Sequence, residues 1–315
     1  MLFPPNQDLS SSSPLCSLDE ETTLCNTSSR NILSSQHDIL FAYCEWRDIT
    51  LTNAEEGGAA IQFHSSSQGS KIVISHCLFD SLSSMKGYGG AVDIQDAYDA
   101  SVLSSSFSSC NRMDSEEGGG GGVSLLRITH QPLIQECSFF SCFSQDCGGM
   151  ADIHECEHTE NPVCSDIVSI QCTVEDDSAG GIIIEVYGNM LPFSNCLYSN
   201  LIAFYGGVVY LYLPEFTDNQ FPVRFCFFTQ NTADFGNDVF TYPSISSTPF
   251  FHCYSTTEQE PLGYWDDSGA HLHMKDFDNW IPNNENSYIV YLFYQLRRNV
   301  DNNAFHLIPE MINCI

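Results

Sequence analysis

Gly89-Gly90-Ala91-Val92-Asp93-Ile94 and its echo Gly148-Gly149-Met150-Ala151-Asp152-Ile153 decide how this chain is read. The same opening returns in Gly57-Gly58-Ala59-Ala60-Ile61, Gly121-Gly122-Val123-Ser124-Leu125, Gly180-Gly181-Ile182-Ile183-Ile184 and Gly206-Gly207-Val208-Val209-Tyr210, with a decayed copy at Gly236-Asn237-Asp238-Val239-Phe240. Successive second glycines lie 32, 32, 27, 32 and 26 residues apart, and Gly236 follows after 29. Repetition at this period is the mark of a solenoid, a propeller or an array.

Upstream of each doublet sits a second recurring element, a Cys or small residue followed two places later by an aromatic or apolar one. It reads Cys44-Glu45-Trp46, Cys77-Leu78-Phe79, Ser105-Ser106-Phe107, Cys137-Ser138-Phe139, Cys172-Thr173-Val174, Cys196-Leu197-Tyr198 and Cys226-Phe227-Phe228, with His252-Cys253-Tyr254 as an eighth. Each unit therefore reads as strand, Cys-x-aromatic strand, polar turn, Gly-Gly, strand and variable loop. The strands are short and rich in β-branched and aromatic residues. No stretch keeps a 3.6-residue apolar period. A unit of this size without a helix fits one coil of a parallel β-helix better than a propeller blade, which needs four strands.

The expected fold is thus all-β: a right-handed parallel β-helix of about seven or eight coils, with residues 38–254 as the repeats. Residues 1–37 are expected to form an irregular N-terminal segment or cap, and 255–315 degenerate coils or a C-terminal cap. Cys44, Cys77, Cys137, Cys172, Cys196, Cys226 and Cys253 are expected to stack inward in one file, since free Cys is among the most buried residue types. The glycine pair is read as a corner with positive φ. One conflict stands. Val92 and Ile94 look inward after Gly90, whereas Ile61 and Phe63 after Gly58, and Ile182 and Ile184 after Gly181, have the opposite phase relative to the doublet. A one-residue slip would flip every side chain.

Composition narrows the function classes. The 315 residues carry 40 Asp and Glu against 10 Lys and Arg, a formal charge of −30. So negative a surface repels nucleic acid, anionic lipid and anionic polysaccharide, and leaves neutral or cationic partners and divalent ions. No apolar run approaches the length of a membrane span, and Met1 to Ser10 lack a signal-peptide pattern. The expectation is no membrane insertion, in a chain that is cytosolic or else a piece of a longer surface protein. The 15 cysteines are an odd number, so at least one is unpaired.

Gly57-Gly58-Ala59-Ala60, Gly89-Gly90-Ala91-Val92 and Phe228-Thr229-Gln230-Asn231 carry a resemblance to the GGAI and FxxN repeats of the chlamydial polymorphic membrane proteins and of similar β-helix proteins of anaerobic protists. Phe107-Ser108-Ser109-Cys110-Asn111 displaces the Asn by one, and Phe79-Asp80-Ser81-Leu82 and Phe139-Phe140-Ser141-Cys142 lack it. The resemblance covers about residues 39–254 and implies a right-handed β-helix with a role in surface display or adhesion.

Candidate chemistry is sparse. Asp176 and Asp177 form the one acidic pair suited to acid and base work on a glycosidic bond, in the manner of a divergent pectin-lyase-like carbohydrate-active enzyme, but they also lie in a polar turn where Asp is ordinary. Asp152, His154, Cys156 and His158 would share one face of a straight strand, and two or three of them could share a zinc-like ion. His271 and His273 repeat that spacing. Cys142 and Cys147 flank a turn and could pair if oxidised. Gly118 to Gly122 lack the Lys-Ser/Thr of a phosphate loop. No cofactor is expected. The reading is a non-catalytic structural or interaction protein that binds protein or neutral glycan, with the enzyme as the alternative.

Overall fold

The structure is a computed structural model that describes residues 16–18, 21–24, 30–33, 38–52, 57–65, 69–113, 119–158, 164–175, 179–188, 193–212, 223–224, 226–242, 250–251, 254–255, 262–265 and 271–273. It is a right-handed parallel β-helix. Among the described residues, four sheets of 10, 8, 7 and 10 strands run along its axis, with one strand per turn in each apart from the terminal hairpins. A turn passes from the first sheet (Lys71–Ser75 in one such turn) to the second (Leu78–Asp80), the third (Ser83–Ser84) and the fourth (Val92–Gln95), and re-enters the first one rung higher at Asp99–Leu103. Pairing between rungs is parallel and in register. Among the described strands it turns antiparallel only where Cys16–Leu18 pairs with Glu21–Leu24, and Leu262–Trp265 with His271–His273. Such terminal hairpins take up backbone groups that an open solenoid end would leave bare. Among the described residues no helix is long and apolar enough to cross a membrane.

The corners explain the sequence pattern. A left-handed residue stands between the first and second sheets at Tyr43, His76, Ser104, Glu136, Asp166 and Asn195, and between the second and third at Asp48, Ser81, Ser109, Ser141, Gln171, Asn200 and Gln230, all with φ between 45° and 56°. Asp96, Arg127 and Glu155 do the same after the fourth sheet. The short hydrogen-bonding residues among them tolerate this conformation best. Each is followed by an inward residue.

The glycines sit at the remaining corner, and the strand register shows that the doublets are not equivalent. Ile61, Val92, Val123, Ala151, Ile182, Val209 and Val239 are in register and point inward. Three residues before them lie Gly58, Gly89, Gly120, Gly148, Ala179, Gly206 and Gly236. Gly58, Gly148, Ala179, Gly206 and Gly236 there are left-handed, with φ from 48° to 72°. The next position, Gly90, Gly121, Gly149, Gly180 or Gly207, passes so close to the main chain of the turn above that a Cβ would stand within 2.0–2.7 Å of a carbonyl oxygen. The doublet thus slides by one residue either way over a fixed strand register. This resolves the conflict of phase: Ile61, Val92 and Ile182 occupy the same file, and the glycines, not the strands, are displaced.

Inside, Trp46, Phe79, Phe107 and Phe139 stack on the second sheet with ring centroids 4.5–4.9 Å apart and planes within 10°. Ser169 occupies the next rung, and Tyr198 and Phe228 resume the file. The expected single file of cysteines is corrected to two. Cys44, Cys77, Cys137, Cys196 and Cys226 follow the first corner, but Ile167 fills the rung between Cys137 and Cys196. Cys172 follows the second corner, above Cys110 and Cys142. Both corners place a left-handed polar residue before a small inward one, so the two look alike in sequence. Cys253 lies outside the described residues.

Asn231 ends the second file of corner residues and accounts for the Phe-x-x-Asn motif. It is buried; its Oδ1 accepts from the Leu201 amide at 3.1 Å, and its Nδ2 donates to the Tyr198 carbonyl at 3.4 Å and to Asp238 Oδ1 at 3.0 Å. Leu82, Cys110, Cys142, Cys172 and Leu201 hold the same inward place in other turns. Asn231→Ala is expected to cost about 2 kcal/mol, because it leaves buried groups without partners; urea unfolding measures it, and a loss below about 0.5 kcal/mol would contradict this role.

Candidate functional site

The third sheet turns an unusual face outward. Its strands are short, and with the preceding corner they set three outward files. Asp48, Ser81, Ser109, Ser141, Gln171, Asn200 and Gln230 form the first. Thr50, Ser83, Asn111, Phe143, Thr173, Ile202 and Thr232 form the second, and Thr52, Met85, Met113, Gln145, Glu175, Phe204 and Asp234 the third. In these files only Asp48, Glu175 and Asp234 are charged, in a chain whose net charge is −30. Six large hydrophobic side chains are exposed among the described residues, and four of them lie here: Met85 and Met113 at 42%, Ile202 at 52% and Phe204 at 38%. Phe204 packs edge-on against Tyr205, whose ring contacts Tyr210 and Phe240 around the next corner. Hydroxyl and amide groups recur one rung apart, about 4.8 Å. Low charge with exposed Met and aromatic side chains is the composition of the centre of a protein interface.

None of these residues was singled out in the sequence. The signal was present but out of phase: only when the repeats are aligned on the inward strand residues, not on the glycines, do Met85 and Met113, or Ile202 and Thr173, fall into common files.

The residues that were singled out are dispersed. Asp176 and Asp177 lie outside the described residues. Asp152 and His154 face outward from the strand Ala151–His158, with Asp152 buried and His154 half-buried. The strand does not run straight: Glu155 is left-handed at φ 51°, the register slips between Ile153 and Cys156, and Cys156 turns into the core. Its Sγ accepts from the Ile128 amide at 3.4 Å and donates to the carbonyls of His154 and Leu125 at 3.3 and 3.4 Å. The shared face expected for Asp152, His154, Cys156 and His158 is therefore broken at Glu155. The side chain of His158 is not among those described. No group of three His, Cys, Asp or Glu side chains is gathered for a metal among the described residues. His271 and His273 pair with Trp265 and Gly263 through their backbone.

The described cysteines are free thiols. Burial pushes Cys137 and Cys156 up to about 12 and raises Cys77, Cys142 and Cys172 as well. A thiol kept protonated is a poor nucleophile and a poor metal ligand. Cys142 is buried while Cys147 is half-exposed.

One further polar cluster crosses three rungs of the first sheet. Asp99 receives Lys71 Nζ at 2.8 Å on one oxygen and contacts His130 Nδ1 at 2.7 Å on the other, while the His130 ring stacks on Tyr98. Both carboxylate oxygens are engaged, which makes the group a surface ion network, not a poised base.

No protein-family model matches the chain, and no curated protein or solved structure matches it.

Proposed function

We propose that this is a non-catalytic interaction protein whose third-sheet face docks another protein. The observation that carries the reading is the concentration of Met85, Met113, Ile202 and Phe204 on one regular, nearly uncharged face of a strongly acidic chain. The strong negative charge opposes pairing of two copies, so the partner is a different molecule with a neutral or basic surface. The resemblance of the glycine and Phe-x-x-Asn repeats to polymorphic membrane proteins supports a surface, adhesin-like setting for this contact. A neutral glycan is the competing occupant.

The test probes a displayed library of folded protein domains and a glycan array, using wild type and Ile202→Asp/Phe204→Asp. Protein binders should weaken at least about tenfold in this variant, since exposed apolar anchors carry most of an interface's energy. They should be unaffected by Ser106→Asp on the second sheet. Binding to glycans alone, or protein binders indifferent to the third-sheet pair, would overturn the reading.

A further inference from the structure

The inward file of the third sheet reads Leu51, Ser84, Arg112, Ser144, Val174 and Ala203 on successive rungs. All but one of these suit an interior of small and apolar side chains. Arg112 is the exception. It is fully buried, and among the described buried residues it is the only basic one. No described acid forms an ion pair with it.

The two serines show what the file asks of a polar member. Ser84 Oγ donates to the Lys86 carbonyl at 2.6 Å, and Ser144 Oγ to the Gly119 carbonyl at 2.8 Å. Each ties down the corner that carries the chain toward the fourth sheet. Arg112 does the same with Nε, which donates to the Gly87 carbonyl at 2.6 Å. A hydroxyl would suffice for that bond. The guanidinium brings two further nitrogens, Nη1 and Nη2, and both are buried without a hydrogen-bond acceptor. Unlike a lysine or a histidine, it cannot relieve its burial by losing a proton. A buried charge with neither counter-charge nor acceptors is among the most costly groups an interior can hold, and native proteins pair it. With Nε engaged, the open edge is the one between Nη1 and Nη2. That edge is a planar fork, suited to two oxygens of a carboxylate or phosphate in parallel bonds.

We propose that Arg112 anchors an internal site for a small oxyanion, inorganic phosphate or a short carboxylate, bound across Nη1 and Nη2 behind the third sheet. Ser84 and Ser144 stand one rung to either side, but each hydroxyl proton is already given to a carbonyl of the chain. The guanidinium alone therefore defines the site. The net charge of −30 opposes anion capture from a distance. Solvent and salt screen that field, whereas a cation in direct contact inside a poorly solvated interior is screened far less. A small ion can thus be held inside a chain whose surface repels polyanions.

The test compares wild type with Arg112→Met, which keeps the length and loses the charge, and with Arg112→Ser, the residue of the rungs on either side. The full chain is dialysed exhaustively into a bulky sulfonate buffer. Equilibrium dialysis against radiolabelled phosphate and calorimetric titration with sodium acetate then follow at constant ionic strength. Saturable binding of phosphate or acetate is expected in wild type, and at least about tenfold weaker binding in both variants. In the sulfonate buffer alone Arg112→Met should melt no lower than wild type, because it removes an unpaired buried charge. The bound anion should then raise the wild-type melting temperature by at least about 3 °C more than that of the variant. The variant cancels the general stabilisation that such salts give any protein. If neither anion binds saturably to wild type, or if the variants bind as well, the site does not exist. Arg112→Met melting well below wild type in the sulfonate buffer would sink it too. That result, with a matching loss in Asp114→Asn/Glu116→Gln/Glu117→Gln, would assign the guanidinium to carboxylates of the chain itself.

Discussion

Phe107→Ala is expected to remove about 4 kcal/mol of stability, on the scale of buried aromatic truncations. The ring is fully buried and lies between Phe79 at 4.5 Å and Phe139 at 4.7 Å, nearly parallel to both. Truncation opens a cavity whose floor and ceiling are flat rings fixed to their own rungs. They cannot tilt into the gap without leaving the strand register, so collapse is limited. Two stacking contacts also vanish, each worth about 0.5–1.5 kcal/mol beyond the area buried. Because a solenoid turn touches only its neighbours, the weakened rung should also loosen the coupling between the halves on either side. Urea unfolding of wild type and variant measures the loss. A fall below about 1.5 kcal/mol would show that neighbouring rungs do close the gap.

Gly149→Ala should cost about 3 kcal/mol or prevent folding. Its added methyl would stand 2.4 Å from the Gly180 carbonyl oxygen and 2.8 Å from the Thr173 nitrogen and oxygen. All of these are main-chain atoms, Thr173 in a paired strand and Gly180 at the corner of the next turn, so none can rotate away, and the strain falls on the stacking of the turns. Gly148→Ala, one residue earlier, is the informative contrast. Gly148 needs a left-handed φ of 48°, but Ala179 already occupies the equivalent corner at 54°. Its added methyl would stand 2.1 Å from the Ala151 carbonyl oxygen of its own turn, so the substitution should cost the about 1–2 kcal/mol of a left-handed alanine plus the shift that relieves this contact, a shift the Ala179 turn shows to be attainable. Melting temperatures of the two variants rank the demands. If Gly148→Ala proved the worse, the left-handed bend onto Ala151, and not the approach to the turn above, would be what the doublet serves.

The contrast also shows why the register was not legible in the repeats. Two different requirements, a left-handed bend tight against its own strand and a close approach to the turn above, fall on adjacent positions. A pair of glycines can cover the two together, or only one of them with a neighbour, and the sequence marks all three cases alike. Gly57-Gly58 ends on the left-handed position, Gly148-Gly149 covers both, and Gly180-Gly181 begins on the close approach, with Ala179 left-handed before it. The misplacing of Cys172 has a similar cause. Gln171-Cys172 and Glu136-Cys137 have the same local form, a left-handed polar residue before an inward thiol, and only pairing shows that they stand at different corners. The expected metal face failed at Glu155, whose left-handed turn no residue type announces.

The sequence by itself determined the class of fold. A recurrence near 30 residues, short β-prone strands, small residues before aromatics and glycine at one corner admit a parallel β-helix and little else, because stacked turns must repeat what they stack. It also set the acidic character, 40 Asp and Glu against 10 Lys and Arg, from which polyanions are expected to be poor partners. Only the tertiary structure decided which side chains share a file, since a file is assembled from residues some 27 to 33 positions apart, and a slip of one residue changes every neighbour. The third-sheet face exists only as a set of files; it is no motif along the chain and becomes visible once hydrogen bonding between turns has set the register.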